Sequence, residues 1–200
     1  MTHDWLIGTV AIAAVCLIGA LIALILWLRL TANERHTRHL LNNIADRLLR
    51  DVAVPDGMGG WVVMDAVVLR DGRLHVLDLR DVEGAVFAAE KMDQWTLIGR
   101  RWRSQFQNPL RFMQDRVLAV RSLLPGITVS GHVLFSARAQ FPKGRPEGVQ
   151  LLDEFAAPLL RTKRRKPIEL DAESRFLWQR LCDAAASASN GQIPPPVASS

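Results

Sequence analysis

Tyrosine is absent from this chain of 200 residues, and cysteine occurs only twice, at Cys16 and Cys182. Cys16 lies within a long apolar run, which excludes a disulfide framework and fits a reducing compartment. Neither cysteine belongs to a cluster with metal-ligand spacing, so a structural zinc site is excluded too. There is no glycine-rich phosphate loop, no Ser, His, Asp arrangement readable from spacing and no internal repeat. Lysine is scarce: 21 of the 25 basic residues are arginine. Genomic base composition alone produces such a bias, so the arginine count by itself is weak evidence for phosphate binding.

What is present argues for a folded chain. Hydrophobic residues make up 49%, too many for a wholly disordered protein. The net charge is +5, and the run from Arg161 to Lys166 accounts for all of it, because the remainder is neutral. Electrostatic attraction to nucleic acid or lipid is therefore expected to be local.

Between Asp4 and Arg29 stand 24 uncharged residues, bracketed by Trp5 and Trp27. That length covers a hydrocarbon core of about 30 Å at about 1.5 Å per residue, and indole rings suit the two interfaces. A transmembrane helix over 5–30 is expected, behind a short tail at 1–4. Arg29, Arg35, Arg38, Arg47 and Arg50 follow the run, whereas only His3 and Asp4 precede it. The positive flank stays inside, so the expected location is the inner membrane of a bacterium, single-pass, with the C-terminal domain cytoplasmic.

Beyond the run, residues 33 to 50 read as a helix with Asn33 at its cap and Leu40, Leu41, Ile44 and Leu48 on one stripe. A turn-rich connection spans Val54 to Gly60. Two strand-like runs, Trp61 to Leu69 and Arg73 to Arg80, flank Asp71-Gly72, a strong hairpin signal. Gly84 to Ala89 reads as a short strand, and Trp95 to Trp102 is ambiguous. Asn108-Pro109 opens a helix whose stripe is Leu110, Met113, Val117, Val120 and Leu124. Ile127 to Phe135 reads as a strand and Gln150 to Leu160 as a helix. A basic linker over 161–170, a C-terminal helix over 171–185 faced by Phe176, Leu177, Arg180 and Leu181, and a disordered tail over 186–200 complete the reading. The order predicts an α/β fold, a mixed sheet flanked by helices and preceded by the transmembrane helix.

A two-residue turn at Asp71-Gly72 pairs Arg70 with Arg73 and, counting inward, sets Asp65 opposite Asp78. Directly opposed like charges are destabilising. Three resolutions stand open. A divalent cation bridges the carboxylates, the two share a proton, or a protein cation neutralises them. Arg80, two residues beyond Asp78 and diagonal to Asp65, supplies that cation.

The stretch from Asp51 to Gly84, with an acidic residue in a strand, a turn containing Gly and a strand ending Asp-Leu-Arg, resembles the core of the nuclease-related domain family, known as NERD. The segment Phe106 to Phe135, in which Asn-Pro opens a helix carrying Gln114 and a strand follows, resembles its second block. With the preceding helix, the resemblance covers about 33–160. It implies a restriction-endonuclease-like fold of the PD-(D/E)xK type. Asp65 matches the first metal-binding acid, Asp78 the second-motif acid, Gln114 the helical Gln and Glu34 the early Glu. Arg80 stands where Lys is usual. Lys loses a proton when desolvated, whereas Arg stays charged and serves only to stabilise charge or grip phosphate.

Two functions follow as expectations. In the first, Asp65 and Asp78 hold Mg²⁺ or Mn²⁺ for hydrolysis of DNA, with Arg80 and Gln114 assisting. In the second, Arg80 has replaced the metal and the domain is a catalytically degenerate scaffold, tethered to the membrane, that binds nucleic acid or protein. The lipid bilayer, through 5–30, and DNA are the implied partners. Arg161, Lys163, Arg164, Arg165 and Lys166 form a candidate grip for anionic lipid or nucleic acid. Arg100, Arg101 and Arg103 surround Trp102, a pattern that holds nucleic acid by phosphate contact and stacking; the simpler reading is a solvated loop with the Trp in the core. His75 and His132 read as isolated structural residues, and His36 and His39 have no evident metal partner.

Overall fold

The computed structural model describes residues 17–24, 33–161 and 172–187. Contact clustering divides the chain into a unit over 1–39 and a unit over 40–200.

The expected transmembrane helix over 5–30 is corrected. Among the described residues no helix is long and apolar enough to cross a membrane. The described part of the apolar run is helical over 17–24. A hydropathy run counts residues, whereas crossing requires one continuous helix. The rest of the run lies outside the described residues. So do the tail at 1–4, the basic linker after Arg161 and the chain beyond Ser187.

The second unit is built on a five-stranded mixed sheet, in the order β1-β2-β3-β7-β9. Its strands are β1 (Arg47–Pro55), β2 (Trp61–Arg70), β3 (Arg73–Arg80), β7 (Thr128–Phe135) and β9 (Val149–Leu151). The first three are antiparallel neighbours; β3, β7 and β9 run parallel. A second sheet, in the order β6-β5-β4-β8, contains β4 (Gly84–Phe87), β5 (Gln94–Ile98), β6 (Arg103–Gln107) and β8 (Ala139–Gln140). Helix α1 (33–44) precedes β1. Helices α2 (Pro109–Leu123), α3 (Leu152–Arg161) and α4 (Ala172–Ser187) complete the unit.

Local chemistry accounts for these elements. Asp71 and Gly72 both adopt positive φ, 49° and 72°, as a two-residue type I′ hairpin turn requires. Arg70 pairs with Arg73 and Leu69 with Leu74, in the register expected from that turn. Asn108 caps α2 by accepting from Leu110 N at 3.0 Å, and its amide donates to the carbonyls of Glu90 and Met92. Helix and preceding loop are thus pinned by one buried side chain. The expected helix over 33–50 ends early, at residue 44, and Leu48 belongs to β1 instead. Pairing of β1 along the whole of β2 outweighs the helical period there.

Both faces of the main sheet are covered, so β2 is apolar from Ala66 to Leu69 rather than alternating. One face packs on α2 and α4 and continues into the second sheet through Trp95, Leu97, Phe135 and Ala139. The other face, with Ala66, Val68, Leu77 and Leu134, packs on Leu40, Leu41 and Ile44 of α1 and Phe155 of α3. On α4 it is Leu177 and Leu181 that are buried, whereas Phe176 is exposed.

Arg70, 4% exposed, ties the second face together. It donates to the carbonyls of Ile44 and Leu159, lies 3.1 Å from Asp71 and sits 3.6 Å from Asp46. Asp46 in turn accepts the Asp71 amide at 2.9 Å.

Candidate functional site

The β2–β3 ladder runs from Arg70–Arg73 to Ala66–Leu77. One step beyond it stand Asp65 and Asp78, as the register count requires. Here the strands no longer pair. Instead Asp65 Oδ2 accepts the Leu79 amide at 2.6 Å. The break has a counterpart on β1, where Asp51, the residue between the pairs Arg50–Ala66 and Val52–Met64, has φ of 51°. Across the break the apolar phase slips by one residue, so that Met64 joins Val67 and Leu69 in the same core cluster. Asp is among the few side chains that tolerate left-handed backbone.

Asp78 is fully buried at the sheet's centre and takes charge-assisted bonds on both oxygens. Arg80 donates Nε to Oδ1 and Nη2 to Oδ2, the latter at 2.9 Å. Arg116, from α2, donates Nη1 to Oδ2 and anchors its own Nε on the Val63 carbonyl at 2.8 Å. Two guanidiniums therefore hold one buried carboxylate in the planar geometry that favours Arg over Lys. Removing both would strand the charge of Asp78 in a low-dielectric interior.

Asp65 is less fully engaged. Burial pushes its carboxyl above the ordinary carboxylate range, and the charge of Asp78 adds to the rise. The Leu79 hydrogen bond and the charges of Arg116 and Arg80 oppose it without cancelling it.

The donor set does not fit a divalent cation. Magnesium needs free carboxylate oxygens in near-octahedral geometry, yet both oxygens of Asp78 face guanidiniums that never lose a proton. Among the described residues, no group of three or more His, Cys, Asp or Glu side chains is placed to hold a metal. Of the three resolutions open from the sequence, neutralisation by protein cations is the one this geometry displays.

The other sequence candidates fall elsewhere. Gln114 is exposed on α2 and lines a cleft with Glu90, Gly131 and Gly148. Among the described residues no hydrogen bond joins it to Asp65, Asp78 or Arg80. Arg116 lies two residues further on, about 200° around a helix that turns about 100° per residue; that is why one reaches Asp78 and the other does not. Glu34 belongs to the first unit and pairs with Arg38 at 2.8 Å, an exposed i, i+4 contact. Arg161 ends α3, while Lys163, Arg164, Arg165 and Lys166 lie outside the described residues.

Three features escaped the sequence reading. The signal for Arg116 was a cation three residues after Met113 and four before Val120, on the stripe that faces the sheet. His75 and His132 are not isolated. Strands β3 and β7 bring Nδ1 of His75 to 3.2 Å from Nε2 of His132, against the ring of Phe155. Burial lowers both imidazoles, that of His132 to about 4, and proximity of His75 lowers His132 further in the same direction. Trp102, expected in the core, is instead 50% exposed at the β5–β6 turn, while Trp95 is the buried indole.

No family model, curated protein or solved structure matches the chain.

Proposed function

We propose that this chain is a non-hydrolytic, nucleic-acid-binding module, a catalytically degenerate form of the NERD-like arrangement its motifs resemble. One observation carries the reading. The oxygens of Asp78 that a catalytic cation would need are both held by Arg80 and Arg116. Two fixed positive charges stand where a metal and a titratable lysine would act. Arginine stabilises negative charge and grips phosphate, but it neither generates hydroxide nor takes up a proton from water. The local excess of +5 in the run from Arg161 to Lys166 favours a polyanionic partner there.

The test uses the full chain on linear and circular duplex DNA and on single-stranded DNA with Mg²⁺ or Mn²⁺. The expected result is retention of DNA in a mobility-shift assay that needs no metal, no cleavage, and no rise in melting temperature at millimolar metal, since no folded-state cation site is filled. Metal-dependent cleavage by the wild type, lost in Asp65→Ala and Asp78→Ala, would replace this reading with that of an active nuclease. Silence in both assays would remove the nucleic acid as partner.

A further inference from the structure

The β5–β6 hairpin presents a stacking surface that its sequence alone left as a solvated loop. The turn closes with Gly99 N donating to the Trp102 carbonyl at 3.0 Å, and Ile98 pairs with Arg103. A Cβ placed on Gly99 would sit 2.4 Å from Cε2 of the Trp102 ring. The indole therefore lies directly on the glycine, in a space that no other residue type leaves open. Half of the Trp102 surface remains exposed. Arg100, Arg101 and Arg103 flank Trp102 in sequence, all exposed, and among the described residues none of their side chains has a hydrogen bond or ion pair. The neighbouring charges are already spoken for: Asp81 and Glu83 share Arg138, at 2.6 and 3.3 Å. That trio leaves one negative charge against three uncompensated guanidiniums. Beside the ring opens a cleft of about 710 Å³, floored by Gly84, Ile98 and Gly99 and walled by Arg100 and Trp102, a size in the usual range for small-ligand sites.

We infer that this hairpin is a binding site for single-stranded nucleic acid, in which an unpaired base stacks on the free face of Trp102 and its flanking phosphates contact Arg100, Arg101 and Arg103. An exposed aromatic ring costs solvation unless a partner covers it, and every nucleobase offers a π-face of matching size. A duplex keeps its bases stacked on one another, so it offers this ring nothing. The three arginines supply the phosphate contacts that make such binding strong and salt-dependent. The inference deepens the nucleic-acid-binding reading above and rests on it.

The test measures fluorescence anisotropy of a labelled oligothymidylate of about ten nucleotides with the full chain, in EDTA so that cleavage plays no part. The expected result is binding that Trp102→Ala weakens about tenfold and Trp102→Phe largely keeps. Replacing Arg100, Arg101 and Arg103 by Gln should lower the slope of log affinity against log salt by about two. Because these side chains are exposed, circular dichroism should show all variants folded. Gly99→Val, which lifts the ring, should reproduce the Trp102→Ala loss. Binding that Trp102→Ala leaves unchanged, or that a duplex of the same length competes for equally, would overturn the hairpin site while leaving the module a nucleic-acid binder. No binding at all would overturn both. Loss of anionic-vesicle binding on Trp102→Ala, with the oligonucleotide ignored, would reassign the surface to lipid.

Discussion

Asp65 shows how one residue's surroundings set its charge cost. Its pKa is raised chiefly by burial. A carboxyl whose folded pKa exceeds its unfolded value binds more protons folded than unfolded between the two, so stability falls as pH rises through that window. The wild type should thus be less stable at neutral pH than Asp65→Asn, whose amide oxygen still accepts from Leu79. Chemical denaturation of the two proteins from pH 7 down towards pH 4 checks this. The gap should close as pH approaches the ordinary carboxylate value of about 4; a gap that widens would mean the guanidiniums outweigh burial. Asp78 has both carboxylate oxygens bonded to guanidiniums. The proximity of these two acids was legible from the Asp-Gly turn. Which cations answer them was only half legible: Arg80 shares the strand of Asp78, whereas Arg116 arrives from a helix, 38 residues from Asp78 in sequence.

At the scale of elements, the contact that delivers Arg116 is the packing of α2 on β7. Gly131 makes that contact close. A Cβ there would meet Met113 Sδ at 2.5 Å and Val117 Cγ2 at 2.7 Å. Methionine yields easily, but valine has a stiff χ1. Gly131→Ala should therefore push α2 outward and cost about 1–3 kcal/mol, the range for overpacking, read from the urea midpoint. Gly131→Ala combined with Val117→Ala should recover part of that loss; failure to recover would mean the helix does not ride on this glycine. The helix itself was readable from Asn108-Pro109 and its apolar stripe. Its orientation was not, because Gln114 and Arg116 both fall near the stripe and only the crossing over β7 decides which one reaches the sheet. Strand β1 was missed for a related reason. Leu40, Leu41, Ile44 and Leu48 fit a helical period, and nothing local announces that β2 will claim Leu48 as a partner for Val68.

Across the second unit, the two sheets share one core. Trp95, fully buried on β5, stacks with Phe135 of β7 at 6.3 Å and meets Phe106 of β6 edge-on at 6.0 Å. Its indole N–H is satisfied by the Ala89 carbonyl at 3.0 Å. Trp95→Ala should cost about 3–5 kcal/mol and lower the denaturation midpoint of the whole unit. The signals from Trp61, at the start of β2 in the main sheet, and from Trp102, at the β5–β6 turn of the second sheet, should move together. If only the second-sheet signal shifts, the sheets are not one cooperative body.

Sequence by itself determined what depends on neighbours a few residues apart. The hairpin turn and its register from Arg70–Arg73 to Ala66–Leu77, the Asn108 cap and the α2 stripe all follow from backbone preference and from periods of two or 3.6 residues. Tertiary structure alone decided what depends on residues far apart in the chain. It brought His75 to His132 through the parallel pairing of β3 with β7, and Arg116 to Asp78 through the seat of α2 on the sheet. It also left Trp102 in solvent while burying Trp95, since two indoles seven residues apart look alike until a shared core takes one and a turn keeps the other.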